Sequence, residues 1–366
     1  MLNQARDGMN AAGGETAMAS DASLLALRRV AATIGADPAL TQGAGGNVSV
    51  KCGDILWIKA SGTWLAEAEA RDIMVPVALP PLRAAIAAGD AAAERAETFA
   101  IADMNASGLR PSIETSLHAA LPQAVVLHVH SVDAIAVAVR ADARALLTER
   151  LAGLRWALVP YRRPGLPLTR AIAEVAPDDA AEVLVLANHG LVVAAETVAA
   201  AAALLNDVVA RLSSPPRKAP AASPAAVAAM VEGHGFRLPA DPAAHAVATD
   251  PVSLAIAERG VLYPDHVVFL GAAPLAIDRD EDFGAARDRW KAAGLPAPRW
   301  AIVRGAGIAL ADDIARGGDE MARCLADVAA RLPADAALAF LADEDIAALT
   351  DWDAEKYRQR LARTRN

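Results

Sequence analysis

AVVLHVHS, residues 124–131, sets the reading of the whole chain. A short apolar run leads into two histidines separated by one residue, as at the end of a buried strand. Strand side chains repeat every two residues, so His128 and His130 leave the backbone on one face. Two imidazoles side by side are half of a metal site. The same pair would also suit two half-buried histidines satisfied by backbone groups. Further along, EVLVLANHGLVVAAETVAAAAALL runs from Glu182 to Leu205. Asn188, His189, Gly190 and Glu196 interrupt it, so it predicts a strand, a turn and a buried helix and no membrane span. His189 precedes Gly190, which permits a close backbone approach. Alone, His189 reads as a turn residue. With His128 and His130 it completes three nitrogen donors, the usual count for a catalytic zinc with an open position.

Upstream lies TQGAGGNVSVKCGDILWIKASG, residues 41–62. Its alternating runs, Asn47 to Lys51 and Ile55 to Lys59, flank Cys52-Gly53-Asp54 and predict a β-hairpin. A helix capped by Ser20 or Asp21 is predicted through SLLALRRVAATIG. Further helices are predicted over 80–105, 114–121 and 196–212, with strands over 124–130, 155–160 and 182–187. SSPPRKAPAASPA, residues 213–225, holds four prolines and little that can be buried, and reads as a linker. Beyond it, VLYPDHVVFLG and APRWAIVRGAGIALAD predict strands with loops. DFGAARDRWKAAG, GGDEMARCLADVAARL and EDIAALTDWDAEKYRQRLAR predict helices. The expected organisation is a flexible arm over 1–19, a first domain over 20–212, the linker, and a smaller α/β domain over 226–366. No internal repeat is evident.

The 366 residues suit two domains at about 150 residues each. With 54% apolar and 22% charged residues, the composition excludes a disordered chain. Aromatics are only 4%, so alanine and the aliphatics fill the interior. A net charge of −9 argues against nucleic-acid backbones as partners. It leaves room for a small anion in a local pocket of opposite potential. Cys52 and Cys324 make no disulfide framework, and the first twenty residues have no signal-peptide core. A reduced, cytoplasmic chain without a membrane partner is expected.

Glu114 opens PSIETSLHAAL, where a carboxylate either caps the helix or serves as an acid/base group beside a metal-bound substrate. His118 shares its helical face and reads as packing more than as a ligand. Three small-residue turns are candidate anion cradles: Gly45-Gly46-Asn47, Ala60-Ser61-Gly62 and Pro111-Ser112-Ile113. Neither Gly43-Ala44-Gly45-Gly46 nor Gly305-Ala306-Gly307 makes a dinucleotide fingerprint: the first leads into a strand, and the second lacks a further glycine at the required spacing. His234, His245 and His266 show no ligand spacing and read as structural or surface residues. Arg162 and Arg163, beside Tyr161, suit solvated charges or contacts to an acidic substrate.

The order GAGGNVSV, KASG, PSIETSLH, HVH, VPYRRPG, ANHG resembles the class II aldolase/adducin family over about residues 20–212. RGVLYPDHVVF and LADEDIAALTDWDAEKYR resemble, more loosely, the aldolase half of bifunctional rhamnulose-phosphate aldolase/alcohol dehydrogenases. The resemblance implies a three-layer α/β/α domain with a central mixed, largely antiparallel sheet, followed by the smaller α/β domain. It implies that His128, His130 and His189 hold a divalent metal, zinc first, with manganese or cobalt as alternatives. Glu114 matches the catalytic acid/base, and Tyr161 matches a tyrosine that donates a proton at a neighbouring subunit's site. Asn47, Ser61, Gly62 and Ser112 match substrate-phosphate positions. Ile113 replaces one of two serines there, so the ligand's anion stays open between phosphate, carboxylate and none. The implied activity is reversible retro-aldol cleavage of a ketose, such as a deoxyketose 1-phosphate, through a metal-stabilised enediolate. The implied partners are a sugar or sugar-phosphate substrate and copies of the chain in a homotetramer. Epimerases, dehydratases and decarboxylases share the chemistry, and adducin-like interaction proteins share the fold without the complete triad.

Overall fold

A computed structural model of the chain describes residues 21–176 and 181–350. The arm, Ser20 and the far end of the last predicted helix lie outside the described residues. Residues 21–36 form helix α1. The predicted hairpin follows as β1 (Asn47–Cys52) and β2 (Ile55–Lys59), with Cys52 opposite Ile55 and Gly53 at φ 57° in the two-residue turn. β3 (Met74–Ala78) pairs with β2, and α2 (Leu79–Ala87) starts on two prolines at its first turn. The helix predicted over 80–105 ends with α2. Gly89 at φ 67° breaks it, and three short 3-10 turns carry the chain to Met104.

Next come α3 (Thr115–Ala120), β4 (Val125–Val129), α4 (Val132–Ala138), α5 (Ala143–Arg150) and β5 (Trp156–Val159). They are followed by α6 (Leu166–Val175), β6 (Val183–Leu186), β7 (Gly190–Ala195) and α7 (Val198–Leu212). The seven strands lie in the order β3-β2-β1-β4-β7-β6-β5, antiparallel throughout except β5 beside β6. Alternation divides the core into layers. Leu127, Val185 and Val193 face Leu27 of α1, Val137 of α4 and Leu205 of α7. Val126, Leu184 and Val192 face Leu117 of α3 and Leu168 of α6. The result is the three-layer α/β/α unit with a largely antiparallel sheet.

The predicted linker has no regular structure from 213 to 223, as its prolines dictate. It is nonetheless held down: the Arg217 guanidinium reaches Asp250 at 2.6 Å, the Ser253 hydroxyl at 3.1 Å and the Ala329 carbonyl at 2.8 Å. Beyond it are α8 (Pro224–Val231), β8 (Phe236–Arg237), α9 (Ala246–Thr249), α10 (Pro251–Arg259), α11 (Pro264–Leu270) and β9 (Leu275–Ile277). α12 (Phe283–Ala292), β10 (Trp300–Val303), β11 (Gly307–Ala311), α13 (Gly318–Arg331) and α14 (Asp343–Thr350) complete the described chain. Here one expectation is corrected: VLYPDHVVFLG is not a strand. Pro264 sits at the first position of α11, where its fixed φ favours a helix start. Because α11 is buried on all sides, its sequence lacks an amphipathic stripe and reads as a buried strand.

The second sheet, β8-β11-β10-β9, repeats the pairing of β4-β7-β6-β5. In each, the first three strands pair antiparallel and the last pairs parallel. The correspondence reaches single residues. Leu186 pairs with Gly190 and Val303 with Gly307. Asn188 at φ 54° matches Gly305 at φ 69°. Ala187 N–H donates to Val159 O at 2.9 Å, and Arg304 N–H to Ile277 O at 3.0 Å. Ser131 caps α4, and Asp241 caps the turn after β8. The chain therefore does contain an internal repeat, and β8 to α13 is a second copy of β4 to α7.

Candidate metal centre

Sheet register brings the predicted ligands together. Val126, His128 and His130 share the α3-facing side of β4, and β7 pairs beside them with Leu191 opposite Val129. The tight β6–β7 turn then places His189 next to both. A Cβ at Gly190 would meet the Val129 carbonyl at 2.5 Å and the two imidazoles at 3.2 and 3.3 Å, so only glycine permits this approach. The three ring centroids stand 4.9, 5.0 and 5.1 Å apart, and one ligand atom from each ring lies within 4.8 Å of the others. All three side chains are buried.

The proton positions test whether a cation fits. His128 Nδ1 lies 3.1 Å from the Leu191 carbonyl, which can only accept, so the proton sits on Nδ1. His130 Nδ1 lies 2.8 Å from the Asp265 carboxylate, which favours the proton there too. The two Nε2 lone pairs then face each other across 3.1 Å. That repulsive arrangement suits a cation between them, since nitrogens on a tetrahedral zinc stand about 3.3 Å apart. Burial holds the His128 and His189 imidazoles below their usual range, His189 at about 3, so both are neutral donors near pH 7.

Glu114 does not cap α3, although it precedes that helix. Its Oε2 accepts from Asn47 Nδ2 at 2.8 Å and lies 3.4 Å from His128 Nε2. Its Oε1 is 3.7 Å from His189 Nε2, buried, and without a hydrogen-bond partner among the described residues. Burial pushes the carboxyl up, but His128, His189, His130 and the Asn47 amide outweigh it and hold it at about 2. Beneath it, His118 meets Ser49 at 2.7 Å and supports the wall without joining the donor cluster.

All three candidate anion turns reach this pocket. Gly45, Gly46, Asn47, Ser61, Gly62, Ser112 and Ile113 line it together with Glu114, His130 and His189, around a hollow of about 30 Å³. Two lining residues escaped the sequence reading. Lys59 is buried and donates to the Ala44 and Gly46 carbonyls at 2.8 and 3.0 Å, placing a positive charge under the glycine turn. It was visible as the first residue of KASG. Asp265 comes from α11 in the second unit and was hidden by the strand reading of that stretch. Tyr161 lies elsewhere: its ring packs against the cluster of Val261, Val267, Leu341 and Leu349, with its hydroxyl buried. Among the described residues no helix is long and apolar enough to cross a membrane.

Residues 28–212 match the family described as the class II aldolase and adducin N-terminal domain. A curated relative, the uncharacterized oxidoreductase YuxG of Bacillus subtilis, is 35% identical over 175 residues. That match takes in 45% of this chain but only 25% of the relative, so the chain spans about a quarter of its length. Among solved structures, the N-terminal class II aldolase domain of a conserved protein from Thermoplasma acidophilum is similar at 24% identity and TM-score 0.45. The similarity covers 51% of this chain and 90% of that one. The L-fuculose-1-phosphate aldolase of Thermus thermophilus aligns at 16% identity and TM-score 0.34, over 52% of this chain and 91% of that one.

Proposed function

Because the chain belongs to the class II aldolase and adducin family, we propose that it is a metal-dependent aldolase cleaving a ketose, or a ketose phosphate, reversibly between carbons. The observation that carries this reading is the convergence of His128, His130 and His189 on one point beside the Glu114 carboxylate. Held there, a divalent ion, zinc by its preference for imidazole nitrogen, would act as a Lewis acid toward a substrate carbonyl.

The chain's own residues supply the rest. Asn47 fixes one Glu114 oxygen and leaves the other facing the pocket without a hydrogen-bond donor. In cleavage the alcohol that becomes the aldehyde gives up one proton and the carbon left behind takes one up; that oxygen is placed to carry such a proton to the carbon, and to remove it in the reverse direction. Its depressed pKa keeps it ionised at rest, ready for the removal step. The three turns bring Asn47 and the Ser61 and Ser112 hydroxyls to one wall of the pocket, beside the buried Lys59 amine. An anionic substrate end, phosphate or carboxylate, suits that wall. Tyr161, half-buried with its hydroxyl turned into its own chain, would need a second copy or a shift of α14 to serve the aldehyde oxygen.

The test is aldehyde release from a panel of ketoses and ketose 1-phosphates, before and after a chelator, with His128→Ala as control. Activity lost in both and restored by zinc, manganese or cobalt is expected. Cleavage that survives chelation and His128→Ala would remove the metal-centred reading.

A further inference from the structure

The ligand cluster belongs to the first unit, yet one of its contacts comes from the second. The ANHG turn makes that contact possible. Asn188, beside His189, donates from its side-chain amide to the Leu262 carbonyl at 2.9 Å and the Ala339 carbonyl at 2.8 Å. These bonds pin the segment leading into α11, and Asp265 follows three residues after Leu262 in the first turn of that helix. The α4 face opposite the first sheet is buried in the second unit's core, with Val132, Ile135 and Val139 against Phe269 and Leu325. Arg331 Nε closes on Asp133 Oδ1 at 3.0 Å. Asp265 is thus held from several sides, and its side chain is buried.

We propose that Asp265 is a positioning residue for the metal centre. It holds the His130 ring with Nδ1–H outward and the Nε2 lone pair inward, so that the second unit completes a site whose ligands all lie in the first. The inference rests on the metal reading above. Three observations carry it. Asp265 Oδ2 lies 2.8 Å from the ring nitrogen remote from the cluster, a charge contact whose angle falls short of a hydrogen bond. The glycine turn is shaped around this pair, since a Cβ on Gly45 would come within 2.8 Å of His130 Nδ1 and 3.0 Å of Asp265 Oδ2. A second buried carboxyl group, that of Glu114, stands 3.4 Å from His128 Nε2, so carboxyl groups from both units face the imidazole cluster. A carboxylate behind a ligating imidazole fixes its tautomer and raises its basicity. The repeat explains the provenance. The second unit lacks ligands at the equivalent positions and serves the first from outside.

The full chain would be stripped with a chelator and titrated with Co²⁺ and with Zn²⁺ against a competing chromophoric chelator. Wild type, Asp265→Asn, Asp265→Ala and Asp265→Glu would be compared. Weaker affinity by about 10- to 100-fold is expected for Asn and Ala, with partial recovery in Glu and a shifted Co²⁺ absorption spectrum. Thermal midpoints of the metal-free proteins would be measured in parallel. Asp265→Asn is nearly isosteric, so its metal-free midpoint is expected to stay close to wild type. A wild type that binds stoichiometric metal, alongside an Asp265→Asn of equal affinity and unchanged spectrum, would overturn this inference alone. A wild type that binds no metal would overturn both it and the metal reading.

Discussion

Leu186 to Gly190 and Val303 to Gly307 close the same turn between equivalent strands, yet only one of them carries a histidine of the candidate metal centre. The first holds Asn188 and His189; the second holds Gly305 and Ala306 at the same places. Following the registers, Leu238 stands where His128 does and Ala240 where His130 does. The backbone of the second sheet therefore forms without any of the ligands. The first sheet's histidines are not what holds its strands together. Burial instead opposes their charged forms, and apolar side chains occupy the same backbone elsewhere in the molecule. Costly polar groups where the fold accepts alanine or leucine mark a site kept for chemistry.

The sharpest way to break the comparison is to convert one turn into the other. His189→Ala gives the first turn the second turn's residue. Stoichiometric metal is expected to disappear, and turnover to fall roughly a thousandfold, on the order of 4 kcal/mol of barrier. The metal-free protein should be no less stable than wild type in urea. A collapse of its folding midpoint would mean that His189 is structural and that the two turns differ for another reason. Glu114→Gln probes the neighbouring carboxylate, with metal content retained and kcat lowered about a hundredfold. Equal losses of metal and activity would place Glu114 among the ligands instead.

Asn188→Gly makes the first turn resemble the second while keeping the left-handed backbone comfortable. It should cost about 1–3 kcal/mol in urea unfolding, because the buried Leu262 carbonyl loses its donor and the part-buried bond to Ala339 is lost with it. An unchanged midpoint would mean that these bonds do not tie the units together. The smallest expected effect is a slope with pH. His118 in the first unit and His266 in the second are both lowered to about 3, chiefly by burial. The unfolded chain protonates them near 6.5, so it binds more protons below that value. Stability contributed by each is intact above pH 6.5 and drains away as pH falls toward 3. His266→Gln should flatten the urea-midpoint profile of the metal-free protein by up to roughly 1.4 kcal/mol per pH unit. A profile identical to wild type would show that His266 is not neutral in the fold.

Much of this was legible in the sequence, for physical reasons that can be named. Period-two alternation exposed β1 and β2, short apolar runs exposed β4 and β6, and the one-residue spacing put His128 and His130 on a common face. The three small-residue turns could be picked out but not brought together, because only the sheet register folds residues 45–47, 60–62 and 111–113 onto one pocket. Asp265 stayed hidden because α11 is buried on every side and has no readable stripe. The repeat was harder still. At the places that correspond to the three histidines, Leu238, Ala240 and Ala306 give the sequence nothing to match. One trace does survive: LNDVVARL, residues 205–212, against LADVAARL, residues 325–332, whose Asp207–Arg211 and Asp327–Arg331 pairs recur one helix turn apart.

The hollow beside the histidines has room for little more than a water molecule. The hollow also opens to solvent, with Pro164 and Pro264 among its lining. A ligand larger than the hollow would therefore seat one end among the histidines and leave the rest against proline rings, which offer no donor of their own.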